Sequence, residues 1–267
     1  MHFTLGFSPC PNDTFIFDAL VNQKIDTEGF TFEVLLEDVQ TLNEWAKSEK
    51  LNISKISYGV LPIVQQNYSL LNSGGALGKG VGPLLISREP IDDLQKVNNM
   101  KIAVPGFNTT AHLLFSMAFP NAKNKEFLVF HEIESAVLSG EVDAGVIIHE
   151  NRFTYLDKGL IKLMDLGAYW EEQLDCPIPL GGIIMQNKFD EATRSKIESL
   201  IRRSVEYAFE NYPQITDYVR CHAQEMSESV MRQHIDLYVN NFSIDLGIEG
   251  RKAVDTLMQV YHKINTL

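Results

Sequence analysis

Gly74-Gly75-Ala76-Leu77-Gly78-Lys79-Gly80-Val81-Gly82-Pro83 is dense in glycine, and a second punctuation follows at Pro177-Ile178-Pro179-Leu180-Gly181-Gly182. The first stretch is not a P-loop, because no Gly-Lys-Ser/Thr closes it. It is not a dinucleotide fingerprint either, because no helix-forming stretch follows. Its glycines fit sharp turns or the close approach of a ligand, with a plain structural hinge as the alternative. Between the two punctuations, strand-like runs at Leu84–Ser87, Lys101–Val104, Phe127–Ile133 and Ala144–His149 alternate with helical ones, notably Thr110–Phe119. Before them come a strand at His2–Phe7, a helix at Thr14–Val21 capped by Asn12 or Asp13, and an alternating strand at Phe30–Leu36. Thr41 and Glu44 have capping-box spacing for a helix through Ala46. After the second punctuation, Ile197, Leu200, Ile201, Ser204, Ala208 and Tyr212 trace one face of a helix over Asp190–Tyr212, and two more helices are expected near Ser229–Asn240 and Gly250–Ile264. The pattern predicts an α/β protein with mainly parallel sheets. The chain is expected to leave a first lobe (1–86 and 186–267) for a second (87–185) and then return. Two crossings between lobes make a ligand cleft.

A chain of 267 residues, 45% apolar and 22% charged, has an ordinary globular composition, which excludes a disordered or fibrous class. Acidic residues outnumber basic ones 35 to 23, for a formal charge of −12. Such a surface repels nucleic-acid phosphates and anionic lipid, so neither nucleic acid nor membrane is expected as a partner. A local site can still hold an anionic small molecule. The opening MHFTLGFSPCPND lacks the basic and apolar regions of a secretory signal. No apolar run approaches the roughly 20 residues of a membrane span. Cys10, Cys176 and Cys221 are odd in number, far apart and without CxxC spacing, which fits a reducing cytoplasm better than a disulfide framework.

Four segments could carry chemistry. Ser8–Thr14 joins a strand to a helix, and free amides at a helix start bind carboxylate or phosphate; a well-capped turn is the bland alternative. Within it Cys10 could be an activated nucleophile, although no partner base stands beside it. Pro105–Ala111 follows a strand and sets the hydroxyls of Thr109 and Thr110 at a helix start, a small oxyanion cradle or simply an N-cap. Ala144–Phe153 is the most informative, because His149 falls where a buried strand ends at the edge of the cleft. Histidine is the commonest general base near neutral pH, and a core or capping histidine is the alternative. Glu150 could orient His149, but neighbours on a strand point to opposite faces, which argues against direct contact. The glycine-rich stretch is the fourth segment. No metal-ligand spacing is present, His2, His112, His222, His234 and His262 read as structural or exposed, and no GxSxG elbow supports a serine hydrolase.

SPCPNDTF (Ser8–Phe15), KISYG (Lys55–Gly59), GGALGKGVGPLL (Gly74–Leu85), PGFNTTA (Pro105–Ala111), DAGVIIHENRFTY (Asp143–Tyr155), DLGAYWE (Asp165–Glu171) and PIPLGG (Pro177–Gly182) together resemble the 1,4-dihydroxy-6-naphthoate synthase family. The similarity runs from the N-terminus to about Gly182, with a helical tail of the expected length. The resemblance implies a two-lobed, type II periplasmic-binding-protein-like fold used by a cytoplasmic enzyme of the futalosine route to menaquinone. It implies a lyase that converts cyclic dehypoxanthinyl futalosine to 1,4-dihydroxy-6-naphthoate and releases dihydroxyacetone, with no metal and no organic cofactor. By the same resemblance His149 is the general base, and Lys55, Ile56, Ser57, Thr109 and Thr110 contact a small-molecule carboxylate substrate. Ser8, Asn12, Gly78, Ala111 and Arg152 complete the candidate set. The helical tail offers surfaces for a homodimer.

Three other readings share this fold. A solute-binding protein would only capture its ligand, and needs no histidine at the cleft edge. Chorismate dehydratase, a sister enzyme, is not expected to show the SPCPNDTF or IHENRF blocks. A regulatory effector-binding domain would usually follow a DNA-binding segment, and this chain starts directly at a strand.

Overall fold

The computed structural model describes residues 1–223 and 227–265, so the expected first lobe is described except for 224–226 and 266–267. The first part of the chain runs β1 (His2–Phe7), α1 (Pro11–Val21), β2 (Thr31–Leu36), α2 (Val39–Lys47), β3 (Ile53–Ser57), α3 (Leu61–Val64), β4 (Tyr68–Leu70) and β5 (Ala76–Gly78). The middle runs β6 (Leu84–Ser87), β7 (Ile102–Val104), α4 (Thr110–Ala118), β8 (Lys125–Phe127), α5 (Ile133–Ser139), β9 (Ala144–Ile147), α6 (Asn151–Thr154), β10 (Ile161–Asp165) and α7 (Leu166–Leu174). The chain then returns through β11 (Ile178–Gln186) to α8 (Glu191–Asn211), α9 (Asp217–His222), α10 (Glu228–Tyr238), α11 (Asn241–Ile244) and α12 (Gly247–Asn265).

Two sheets result. One has the order β2-β1-β3-β11-β4 with β5 paired to β11, and the other has the order β10-β6-β9-β7-β8. The expected α/β architecture is present, but the sheets are mixed rather than mainly parallel. β1 is parallel to β2 and β3, and β7 to β8 and β9. The returning strand β11 runs antiparallel to β3, β4 and β5, and β6 runs antiparallel to β9 and β10. A chain that comes back into a finished sheet can do so without a crossover helix only in the antiparallel sense.

The crossings lie at 79–83 and 175–177. β6 already belongs to the second sheet and β11 to the first, so both crossings precede the expected boundaries after 86 and after 185. The first crossing meets the start of α7 at a backbone contact: a Cβ placed on Gly82 would lie 2.2 Å from the Cα of Gly167. Only glycine permits that approach. The fully buried Trp170 donates its indole N–H to Pro177 O at 3.2 Å beside it. One apolar cluster runs through the crossing, from Ile56, Tyr58 and Ile184 to Leu85, Val104 and Trp170. A second lies between the first sheet and the tail, where Phe7, Ile16 and Leu20 meet Ile197, Leu200 and Ile201.

Several local expectations shift for visible reasons. The N-cap of α1 is Cys10, with Pro11 at the first helical position; Asp13 is inside the helix, turned back to accept from Ser8 N and Ser8 Oγ at 3.2 and 2.7 Å. The cap of α2 is Asp38, which accepts from Gln40 N and Thr41 N and takes the role expected of Thr41. The run 127–133 is not a strand: β8 ends at Phe127, a 3₁₀ turn covers Phe130–Glu132, and Ile133 opens α5.

Candidate active site

A cleft of about 650 Å³ opens between the lobes, lined from both. Nine expected residues line it: Ser8, Asn12, Lys55, Ile56, Ser57, Thr109, Thr110, Ala111 and His149. Its floor is a buried ion pair. Lys55 Nζ lies 2.9 Å from Asp13 Oδ1 and donates to Gly74 O at 3.1 Å, with side chains 5% and 2% exposed. Asp13 also accepts from Asn12 Nδ2 at 2.8 Å and from both donors of Ser8. The carboxylate is saturated with donors, which is what makes its burial tolerable. Asn12, having given its amide N–H to Asp13, leaves Oδ1 buried without a donor among the described residues. Ser57 receives Asn43 Nδ2 at 3.1 Å on its hydroxyl oxygen.

The α4 wall differs from the expectation of two hydroxyls aimed at a ligand. Thr109 Oγ1 donates to Gly106 O at 2.9 Å and accepts from His112 N at 3.1 Å. Thr110 Oγ1 donates to Leu180 O at 2.8 Å and accepts from Gly59 N at 3.0 Å. Both hydroxyl protons are therefore engaged by main-chain carbonyls. With His112 N held by Thr109 Oγ1, what α4 can offer an anion is the backbone amides of Thr110 and Ala111, which have no intrahelical acceptor, and the positive end of its dipole. Thr110 also joins the lobes, since Gly59 and Leu180 belong to the first. A Cβ on Gly59 would lie 2.7 Å from Thr109 C, so glycine there allows the contact. Asn43 Nδ2 donates to Asn108 O at 3.1 Å, and Asn108 Nδ2 to Glu44 Oε1 at 2.6 Å, adding two further bonds across the same line.

His149 stands opposite. β9 ends at Ile147, two residues earlier than expected, and His149 takes a left-handed backbone with φ 56°. A non-glycine residue in that region is held there by its surroundings. Here the turn swings the imidazole into the cleft and brings Glu150 to the same cluster. The alternation argument against Glu150 fails because the strand has already ended. Atoms of Cys10, His149 and Glu150 that can act as ligands lie within 4.8 Å of one another. Burial lowers the pKa of His149 below its ordinary value, and the charge of Glu150 partly offsets that. A neutral imidazole can accept a proton. Burial, and then Glu150, push the Cys10 thiol up, which keeps it protonated and weighs against the nucleophile alternative.

Two candidates do not reach the cleft. Gly78 is in β5, where a Cβ would meet Val81 Cγ1 at 3.1 Å. Arg152 is turned to the crossing, where it donates to Gly82 O, to Gly80 O at 2.8 Å and to Asp165 Oδ2 at 3.1 Å. It staples the glycine-rich stretch to the second lobe. Missed in the sequence were Asp13, Leu180, Gly181 and Tyr238, which also line the cleft, and His234, which lies behind His149.

A family model described as menaquinone biosynthesis matches residues 3–263. The chain belongs to that family. It is 46% identical over 253 residues to the 1,4-dihydroxy-6-naphtoate synthase of Thermus thermophilus, covering 95% of this chain and 91% of that protein. It is 41% identical over 259 residues to the protein of the same name from Streptomyces coelicolor, with 95% and 90% covered. The family is therefore one of biosynthetic enzymes, as the seven sequence blocks implied. A solved structure from Archaeoglobus fulgidus superposes with TM-score 0.93 at 28% identity, covering all of this chain and 98% of that one. An alkanesulfonate-binding protein from Xanthomonas axonopodis, solved with MOPS, superposes with TM-score 0.72 at 11% identity, covering 100% and 94%. At that distance only the fold is shared, and it is the two-lobed periplasmic-binding-protein-like fold expected.

Proposed function

We propose that this chain is a carbon–carbon lyase that converts cyclic dehypoxanthinyl futalosine to 1,4-dihydroxy-6-naphthoate and releases dihydroxyacetone, acting in the cytoplasm. The observation that carries the reading is His149, an imidazole whose pKa burial lowers, held by a left-handed turn at the edge of a cleft between the lobes. The substrate carboxylate meets the first-turn amides of α4, with Lys55 across the floor. His149 then removes a proton and begins cleavage of the carbon–carbon bond. Aromatisation of the second ring drives release of the three-carbon fragment. A positioned base contributes about 10²–10⁴-fold in rate. Enclosure between lobes adds orientation and excludes water.

Cytoplasmic action fits biosynthetic relatives and the finding that, among the described residues, no helix is long and apolar enough to cross a membrane. The test is incubation of purified protein with cyclic dehypoxanthinyl futalosine. Repeated turnover giving naphthoate and dihydroxyacetone one to one is expected. Stoichiometric capture of a carboxylate without turnover would instead make it a solute-binding protein, and consumption of chorismate would make it the sister dehydratase.

A further inference from the structure

Behind His149, the turn after β9 and the helix α10 bring together three buried polar atoms that have no hydrogen-bond partner among the described residues: Glu150 Oε2 and both ring nitrogens of His234. His234 is fully buried and Glu150 is 8% exposed. His234 Nε2 stands 4.0 Å from Glu150 Oε2, and the rings of His234 and His149 are 6.0 Å apart between centroids. Tyr238, which also lines the cleft, packs on His234, ring to ring at 4.7 Å. Buried polar groups are nearly always partnered, and one left alone costs about 1–3 kcal/mol. Three orphans in one cluster, directly behind the cleft, form a group that lacks something rather than a settled piece of core. The other charges facing His149 are largely accounted for. Asp13 and Lys55 neutralise each other, Cys10 stays a thiol, and Asp38 caps α2. Glu150 is the carboxylate beside the imidazole that no Lys or Arg among the described residues answers.

We propose that Glu150 and His234 are positioning residues for His149: the carboxylate stabilises the imidazolium formed when His149 takes a proton, and His234 donates one ring N–H to hold that carboxylate in place. The proposal rests on His149 being the base. A movement of about 1 Å would turn the 4.0 Å approach into a hydrogen bond of ordinary length. The proton arriving at His149 supplies the partner that Glu150 lacks in the resting site. Glu150 Oε2 and His234 Nε2, two of the three orphaned atoms, thus become satisfied as charge develops, which places the stabilisation in the reaction step rather than in substrate binding.

The experiment uses Glu150→Gln, which keeps size and removes charge, Glu150→Asp, which keeps charge, and His234→Leu, which removes the ring nitrogens from an enclosed site. Each is read by kcat and KM, by thermal unfolding and by the imidazole titration of His149 in nitrogen-15 NMR. Glu150→Gln is expected to lower kcat about 100-fold with KM within about threefold, and to move the His149 titration to lower pH. Glu150→Asp should recover part of the loss. His234→Leu should lower kcat about tenfold while Tm holds or rises, because two unpaired polar atoms leave the core. Wild-type kcat in Glu150→Gln overturns the proposal. So does lost activity with a fallen Tm and an unmoved His149 titration, which would mean a structural role. Activity abolished by a chelator and restored by zinc also overturns it, since Cys10, His149 and Glu150 would then be metal ligands. Normal kcat in His149→Ala would remove the base assignment itself, whereas an unmoved titration with His149→Ala inactive removes only this proposal.

Discussion

At the start of α4 the side-chain donors facing the cleft are engaged by main-chain carbonyls, whereas in the turn after β9 Glu150 Oε2, with the two ring nitrogens of His234 on α10 behind it, finds no hydrogen-bond partner among the described residues. Each stretch follows a strand and leads into a helix, and each contributes to the same cleft. A satisfied network fixes geometry. Thr109 and Thr110 hold their own backbone and clasp the lobes, so the ligand meets amides presented at a fixed place. An unsatisfied cluster stores interaction that only a new charge can realise. The two histidines repeat the contrast. His112, on α4, has Nδ1 2.7 Å from Phe107 O and Nε2 3.1 Å from Lys125 Nζ, which sets its neutral tautomer. His149 has burial and a carboxylate beside it and, among the described residues, no hydrogen bond that fixes its proton.

The contrast is most easily broken at the floor, where satisfaction is most complete. Lys55→Met leaves Asp13 charged and buried, and about 3–5 kcal/mol of stability should disappear in denaturant unfolding. Adding Asp13→Asn to it should restore much of the loss. A near-neutral Lys55→Met would show that the floor is not held by the pair. Thr110→Val is the next largest. It should cost about 1–3 kcal/mol, because Leu180 O and Gly59 N lose their partner, while Thr110→Ser stays close to wild type in stability and KM. If Thr110→Val raised KM and left stability alone, the hydroxyl would be a ligand contact and the contrast between the walls would fail.

The smallest effect concerns pH. Burial brings the pKa of His112 down to about 4. The unfolded chain binds that proton near pH 6.5 and the folded chain does not, so this stability is full above 6.5 and declines as pH falls toward 4. His149 and His234 are shifted in the same direction. Urea midpoints should drop between pH 7 and pH 5, and His112→Gln should flatten the slope. A slope unchanged in that variant would show that His112 titrates normally.

The two-lobed α/β fold was legible because strand and helix periodicities alternate and two glycine- and proline-rich breaks mark the crossings. His149 was legible as a histidine where a buried strand stops. Glu150 was discounted because a strand was assumed to continue through it, and φ 56° at His149 removes that assumption. From sequence alone His234 reads as structural or exposed. It is structural in being fully buried, but its place behind His149 depends on α10 folding back from the far end of the chain, which no local pattern encodes. Asp13 in the first turn of α1 pairs with Lys55 on β3, and charge spacing in the sequence does not show that either. The cradle role assigned to the Thr109 and Thr110 hydroxyls assumed free protons, and only the positions of Gly106 O and Leu180 O decide where those protons go.

The most direct measurement is kcat of wild type and His149→Ala on cyclic dehypoxanthinyl futalosine, with substrate binding measured on both by calorimetry. Loss of about 10²–10⁴-fold in kcat with binding retained is the predicted result. Equal turnover by the two proteins would contradict it and return His149 to a structural role.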